Sequence, residues 1–284
     1  DAAVQAWALK TLRVVVTNEP ASIAVVVATG ITTLVSIMKQ HLDSPHVQQW
    51  GCGVLCVIAG GDGALEQLRV QDATSCALWA LAKFRGNVAV AAEATAALAA
   101  FAVDEVMRAE VVKGDGVQLA MLAQKQWGGM VAEFSFALVR RAAMSVNTRE
   151  LLARTYGVVA DTLQTIVTSD NPAVKRECIG CLELLVANDS CKEQLFTHSP
   201  PVLRVLQDAA AVGQEQIQDA MVAGKTPDYR LKEAATAALE TISAVQRQDR
   251  MRMKALEQQA RERQRAKTNV EGGLKDTVAA IMDG

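Results

Sequence analysis

Apolar residues recur along the chain at helical spacing, and one such stretch, Val47-Gln-Gln-Trp-Gly-Cys-Gly-Val-Leu, has counterparts at a nearly fixed distance. Successive copies open 43, 43, 41, 43 and finally 57 residues apart. The opening aliphatic residues, called register positions here, are Val4, Val47, Val90, Val131, Val174 and Leu231. A leucine usually stands eight places later, and Val139 takes that place in the fourth copy. This recurrence predicts a solenoid of helical repeats.

Glycine and proline divide each repeat into three predicted helices. Asn18-Glu-Pro-Ala-Ser predicts the start of the first helix, and Gly30 ends it. A second helix follows, and the third, longer helix begins near Val47. In the following repeats the position equivalent to Gly30 is occupied by Ala73, Gly116, Gly157 and Pro200, at steps of 43, 43, 41 and 43 residues. Two independent markers therefore keep one register. Ala73 is not glycine and Ala77-Leu-Trp-Ala-Leu-Ala82 resembles a third helix, so residues 60–86 fit the pattern least well.

The segment from Gly30-Ile-Thr-Thr-Leu-Val to Val47-Gln-Gln-Trp-Gly-Cys-Gly-Val-Leu resembles the armadillo repeat consensus. The shared features are the glycine before the second helix and the Val-Gln pair that opens the third. The resemblance implies an all-α, right-handed solenoid of armadillo repeats with three helices per unit of about 42 residues.

The chain is predicted to divide into three parts. Residues 1–245 form the solenoid, with third helices starting near 4, 47, 90, 131, 174 and 231 and an insertion at 211–228 that should emerge as a loop. Residues 246–271 continue a long C-terminal helix to about Thr268, Gly272-Gly273 breaks it, and residues 272–284 form a short amphipathic tail. Because the first helix has an apolar face, further residues or another chain are expected to precede Asp1.

Charge is spread unevenly, although the formal total is only −2. Residues 246–267 hold eight Lys/Arg and three acids, a local charge of +5. This basic helix is either a solvated face or a contact for an acidic surface. Few aromatic residues accompany it, which disfavours nucleic acid. Its candidate contact residues are Arg250, Arg252, Lys254, Arg261, Arg263 and Arg265.

No uninterrupted run of about 20 apolar residues suggests a transmembrane helix, and membrane contact is disfavoured. The six cysteines mostly lie in predicted helices, as expected in a reducing intracellular compartment, cytoplasmic or cytoskeletal. Cys178-x-x-Cys181 has redox or metal spacing, but it has no second pair and is better explained by packing within a repeat helix. The few histidines lie near loops, so neither catalysis nor a cofactor or metal is expected.

In the armadillo family the third helices line a concave groove, and side chains at matching positions form ladders along it. Importin α carries a tryptophan and an asparagine at two such positions, which clamp a basic peptide; neither is present here. A groove of small and apolar residues suits an apolar helix instead, unless several of these positions are core. Trp7, Trp50 and Phe134 are groove anchors or core. The candidate groove residues are Lys10, Gly53, Ala96, Ala137 and Gly180, six places after the register positions, and Val14, Val57, Ala100, Arg141 and Leu184, ten places after.

These features predict a non-catalytic protein–protein interaction scaffold that is a structural subunit of a larger, multi-subunit assembly. Its units resemble armadillo chains of ciliary and cytoskeletal proteins in protists and algae, which implies a ciliary axoneme. Two alternatives are a reversible adaptor for peptide or helical cargo and a regulatory or cochaperone subunit of an enzyme.

Overall fold

The structure is a computed structural model that describes the backbone of residues 1–154, 157–197 and 201–282 and the side chains of residues 1–152, 157–197 and 201–262. Within these ranges it has sixteen α-helices and no β-strand. In chain order the helices are α1 (Ala2–Asn18), α2 (Pro20–Thr29), α3 (Ile31–Gln40), α4 (Pro45–Ile58), α5 (Ala64–Val70), α6 (Ala73–Lys83), α7 (Val88–Phe101), α8 (Glu105–Lys113), α9 (Gly116–Trp127), α10 (Gly129–Ala142), α11 (Val146–Arg154), α12 (Val158–Thr168), α13 (Pro172–Leu185), α14 (Asp189–Thr197), α15 (Val202–Val222) and α16 (Arg230–Met282).

The helices after α1 follow in groups of three, which confirms the predicted all-α repeat plan. The third helices are α1, α4, α7, α10, α13 and α16, and each contains one register position. Four of these valines, at positions 47, 90, 131 and 174, are at most 1% exposed. The segment Ala77 to Ala82 lies in the second helix α6, so the least regular repeat keeps the same order. Pro200 lies outside the described residues.

Local sequence explains where the third helices begin. Proline occupies the first turn of α4 and α13, where the missing N–H leaves no hydrogen bond unmade. The Ser44 hydroxyl and the Asn171 side-chain oxygen accept hydrogen bonds from the backbone N–H groups of Val47 and Ala173, at 3.4 and 2.9 Å. These caps satisfy donors that the helix itself cannot pair.

The third helices pack in series, since α4 contacts α1 and α7, and α10 contacts α7 and α13. Helix α7 is composed mainly of alanine, and ten of its residues are buried. Small side chains let α7 pack closely against both neighbours. Bulkier residues such as Leu55, Phe101 and Phe136, each fully buried, fill the space between layers.

Polar side chains join helix ends of the same and successive repeats. The buried Gln48 amide donates hydrogen bonds to the carbonyls of Met38 and His41, at 2.8 and 3.1 Å, and so closes the C-terminal end of α3. The Trp127 indole N–H donates to the Arg85 carbonyl at 2.9 Å, across a separation of 42 residues. This second bond joins equivalent edges of two repeats.

The extra residues before the last register position lengthen a helix rather than forming only a loop. Helix α15 continues through Gly213 to Val222, well into the predicted insertion at 211–228. Gly213 does not break the helix because its role is close packing: a Cβ atom there would lie 2.9 Å from the backbone nitrogen of Lys232. The connection to α16 begins after Val222.

Helix α16 also differs from the predicted pattern. It continues through Gly272-Gly273 to Met282, so the helix break predicted there does not occur. Glycine lowers helix propensity by about 1 kcal/mol relative to alanine, but unlike proline it keeps its backbone donor. By its internal contacts the chain forms two compact units, residues 1–238 and 239–284. The predicted domain boundaries at 245 and 271 stay predictions.

None of the described helices is by itself long and apolar enough to cross a membrane. Helices α2 and α3 together meet those criteria, but the pair is bent by 73° between them. Short apolar stretches such as Val88–Phe101 lie in the repeat core, where their burial explains their composition.

Candidate functional site

The predicted groove residues all lie on third helices, and the side of these helices that they define is here called the inner face. It comprises the positions three, six, nine and ten places after the register positions on α1, α4, α7, α10 and α13. Among the ten candidates, Gly53 and Ala96 are buried, so core packing explains these two. Val14 is 54% exposed. The others are half-buried: Lys10, Val57, Ala100, Ala137, Arg141, Gly180 and Leu184.

One end of the inner face carries an aromatic pocket between α1 and α4. The Lys10 ammonium nitrogen lies 4.7 Å from the ring centre of Trp7 and 5.5 Å from that of Trp50, within cation–π range of both indoles. Trp7 is 67% exposed, which makes it a surface residue rather than core. The cavity, called the α1–α4 pocket, has a volume of about 620 Å³. Its lining is Ala2, Ala3, Ala6, Trp7, Lys10, Ser44, His46, Gln49 and Trp50.

The middle of the inner face is crossed by an ion pair that passes over a glycine. Arg13 of α1 approaches Glu93 of α7, with 3.8 Å between Nη2 and Oε2. A Cβ atom on Gly53 of α4 would lie 2.9 Å from both Arg13 Nε and Glu93 Oε2. Glycine at this position therefore lets the two charged side chains meet across α4. Burial raises the pKa of Glu93, and the Arg13 charge opposes that rise.

A related arrangement is found at α10 and α13, where the arginine again lies over a glycine of the next third helix but its acidic partner is on that same helix. Arg140 Nη1 lies 3.2 Å from Glu177 Oε2, and a Cβ atom on Gly180 would lie 2.8 Å from Arg140 Nε. Arg140 and Arg13 are both nine places after their register positions. Arg141, the next residue, donates a hydrogen bond to the carbonyl of Ala99 in α7. The arginines of this face are thus engaged by groups of the chain itself.

Sequence reasoning missed Arg13, Glu93, Arg140 and Glu177 because the position nine places after the register was not considered, and at the position three places after it only the aromatic residues were singled out. A usable signal was present in the sequence. Wherever glycine stands six places after a register position, the preceding third helix has arginine nine places after its own: Arg13 before Gly53, and Arg140 before Gly180.

Five of the six cysteines are buried thiols held by packing, and Cys56 is half-buried. Cys178 and Cys181 are fully buried, and burial raises the pKa of each thiol well above its ordinary value. The Cys181 thiol donates to the Phe136 carbonyl at 3.2 Å. Burial also raises the pKa of Cys191, to about 11. Neutral thiols are poor nucleophiles and poor metal ligands, and the described residues contain no cluster of three potential metal ligands.

The basic helix lies in the second compact unit. The side chains of Arg250, Arg252, Lys254 and Arg261 are exposed there, as are all described side chains from residue 251 to residue 262. Exposed methionines accompany them, with Met251 at 66% and Met253 at 57%. Arg263 and Arg265 lie outside the residues whose side chains are described, so the predicted contact can be placed only for its first four members.

Comparisons with known proteins bear on the fold. No protein-family model matches the chain, and no curated protein matches it. Among solved structures, an engineered protein from a structural genomics consortium is similar, with a TM-score of 0.67 and 20% identity over 86% of this chain and 94% of that one.

Two designed armadillo repeat proteins are also similar to the chain. One has a TM-score of 0.67 and 17% identity over 84% of this chain and 92% of that one. The other, solved in complex with the peptide (KR)4, has a TM-score of 0.65 and 16% identity over 83% of this chain and 91% of that one. The chain therefore has the fold of an armadillo repeat solenoid.

Proposed function

We propose that this armadillo-fold chain is a non-catalytic scaffold for protein–protein interaction and a structural subunit of a larger assembly. The observation that carries the proposal is the exposed apolar surface of α1. Val4 is 64% exposed, whereas the equivalent valines of α4, α7, α10 and α13 are at most 1% exposed. Trp7 and Val14, on the same helix, are 67% and 54% exposed. An apolar surface of this kind is covered by further residues of the same chain or by another protein, and the proposal takes the second.

The ciliary axoneme is the location that we propose for this assembly. The support is the resemblance of its repeat pattern to armadillo chains of ciliary and cytoskeletal proteins, which is an argument by analogy. The exposed basic residues Arg250, Arg252 and Lys254 give the C-terminal helix a surface suited to acidic protein partners.

The proposal is tested by extraction and cross-linking of native material. We expect the chain to stay with the same neighbours through salt and detergent, and Lys10 and Lys254 to cross-link to them. Lys175 of α13 should not cross-link, because it is only 9% exposed. Trp7→Glu should release neighbours bound to α1, whereas Trp79→Glu, a change at a 45% exposed tryptophan of α6, should not. Recovery of the native chain alone and monodisperse would contradict the proposal.

A reversible peptide-binding adaptor is the second candidate, and the α1–α4 pocket favours it. The similar designed protein that was solved with (KR)4 supports peptide binding by this fold. An adaptor would exchange its ligand at micromolar concentrations, whereas a structural subunit would keep its neighbours. The rate of exchange of tagged chain into a preformed complex separates the two: minutes for an adaptor, and no exchange over many hours for a subunit.

A further inference from the structure

The α1–α4 pocket combines a cation with two aromatic faces. Lys10 lies over Trp7 and Trp50, and among the residues with described side chains it has no carboxylate within ion-pairing distance. The indole faces hold the ammonium group without neutralising its charge. A pocket with two aromatic walls, a mixed polar and apolar lining and an ammonium group without an acidic partner therefore lies between α1 and α4.

No other pair of adjacent third helices repeats this combination among the described residues. Three places after the register positions, Trp7 and Trp50 give way to Glu93, Phe134 and Glu177 on the following helices. Six places after, Lys10 gives way to glycine or alanine. Farther along the inner face the arginines already have acidic or carbonyl partners within the chain. The α1–α4 pocket is where the inner face offers a cation to a ligand.

We propose that the α1–α4 pocket binds an acidic peptide segment, with a carboxylate on Lys10 and an adjacent apolar side chain against Trp7 and Trp50. This names the partner chemistry of the proposed scaffold and rests on that function. The volume of about 620 Å³ accommodates two side chains of a peptide, since ligand pockets of about 300–1,000 Å³ hold drug-sized groups.

Charge selects an acidic segment over a basic one. A lysine or arginine entering the pocket would meet the Lys10 ammonium group, with Arg13 one helical turn further along α1. Lys10 already lies against both indoles, so a second cation brought to these rings would be repelled by its charge. A ligand carboxylate gains a charge-assisted hydrogen bond from the same ammonium group, and a neighbouring leucine gains contact with the indoles.

The test uses the chain as it exists and a fluorescein-labelled probe, Gly-Ser-Leu-Glu-Gly-Ser-Leu-Glu-Gly-Ser. Two matched peptides carry glutamine or lysine in place of both glutamates. Fluorescence anisotropy should show binding of the glutamate peptide below about 1 mM, with the glutamine peptide about tenfold weaker, as expected for loss of a hydrogen bond to a charged group. The lysine peptide should not bind.

The variants have internal controls. Lys10→Met should weaken binding of the glutamate peptide about tenfold. Lys83→Met should leave it unchanged, although Lys83 also lies over a tryptophan, 5.9 Å from the ring centre of Trp79. In ¹H–¹⁵N spectra of the four tryptophan indoles, the peptide should shift the signals of Trp7 and Trp50 and leave those of Trp79 and Trp127 in place.

Equal binding of the glutamate and glutamine peptides, preferential binding of the lysine peptide, or no binding at about 1 mM would each overturn the proposal. An equal loss of binding in Lys10→Met and Lys83→Met would also overturn it, because the effect would then be one of net charge. These measurements use the isolated chain, whereas the extraction experiment uses native complexes. Failure of the peptide to bind would therefore not decide whether the chain is a structural subunit.

Discussion

The α1–α4 pocket and the contact between α10 and α13 use their cations differently. Between α1 and α4, Lys10 lies against two indoles and faces an open pocket. Between α10 and α13, Arg140 lies over Gly180 and pairs with Glu177 at 3.2 Å. The difference shows that a cationic side chain on a third helix can either remain available to another molecule or form an ion pair within the chain. A glycine that lets a long side chain lie across the next helix favours the second use.

The largest effect is expected from truncating equivalent leucines in an interior third helix, α7, and in the first one, α1. Leu98 and Leu12 occupy the same place, eight residues after their register positions, but Leu98 is fully buried and Leu12 is only half-buried. Leu98→Ala should lower the free energy of unfolding by about 3 kcal/mol, because it leaves a cavity. Leu12→Ala should lower it by about 1 kcal/mol.

Urea denaturation of both variants measures this difference. Similar losses at the two positions would mean that α1 is packed as tightly as α7, and the contrast between the two helices would not hold. The slope of the transition should stay unchanged, which shows that the comparison concerns the native state.

A smaller effect, of opposite sign at Gly180 and Gly53, is expected from replacing the glycines. Gly180→Ala should stabilise the chain by about 0.5 kcal/mol, because alanine favours helix and the Arg140 side chain, 51% exposed, can move aside. Gly53→Ala should destabilise it by about 1 kcal/mol. There the new Cβ meets Arg13 and Glu93, whose side chains are each only 24% exposed. Thermal unfolding of both variants measures the signs, and a shared sign would refute the distinction.

The smallest expected effect depends on pH. Burial raises the pKa of Glu93 above its ordinary value of 4.5. A raised pKa in the folded state means that the contribution of this group to stability is fully present below pH 4.5 and declines as pH rises through the folded-state pKa. The wild-type chain should therefore lose stability relative to Glu93→Gln as pH rises. Urea midpoints of the two chains from pH 4 to pH 8 measure this, and a wild-type advantage that grows with pH would mean that attraction to Arg13 dominates.

The repeat plan was predictable because it depends on local signals that recur. Register valines, helix-starting prolines and capping residues such as Ser44 and Asn171 each act within a few positions along the chain. That the helices continue through Gly213, inside the predicted insertion, and through Gly272-Gly273 was not predicted, for the opposite reason. A glycine can end a helix or allow another chain segment to approach it, and only the packing of Lys232 against Gly213 distinguishes the two uses.

The inner face was predictable in position but not in its interactions. Lys10 and Trp7 share one helix face and could be paired from spacing alone, but the second indole, Trp50, requires the lateral register of α1 against α4. The Arg13–Glu93 pair joins two helices that lie on either side of a third. Rules based on neighbouring residues do not predict a pair between such distant helices. The pattern of an arginine before a glycine nevertheless indicates which third helices hold one.

Because the Trp127 indole donates a hydrogen bond to the Arg85 carbonyl, its fluorescence can report force applied between these two repeats. A pulling force that separated these two edges would break that bond and expose more of the indole, which is already 38% exposed, so its fluorescence emission would shift slightly to longer wavelength. In a chain whose other three tryptophans are replaced by phenylalanine, emission recorded in an optical trap would report the load at which neighbouring repeats part.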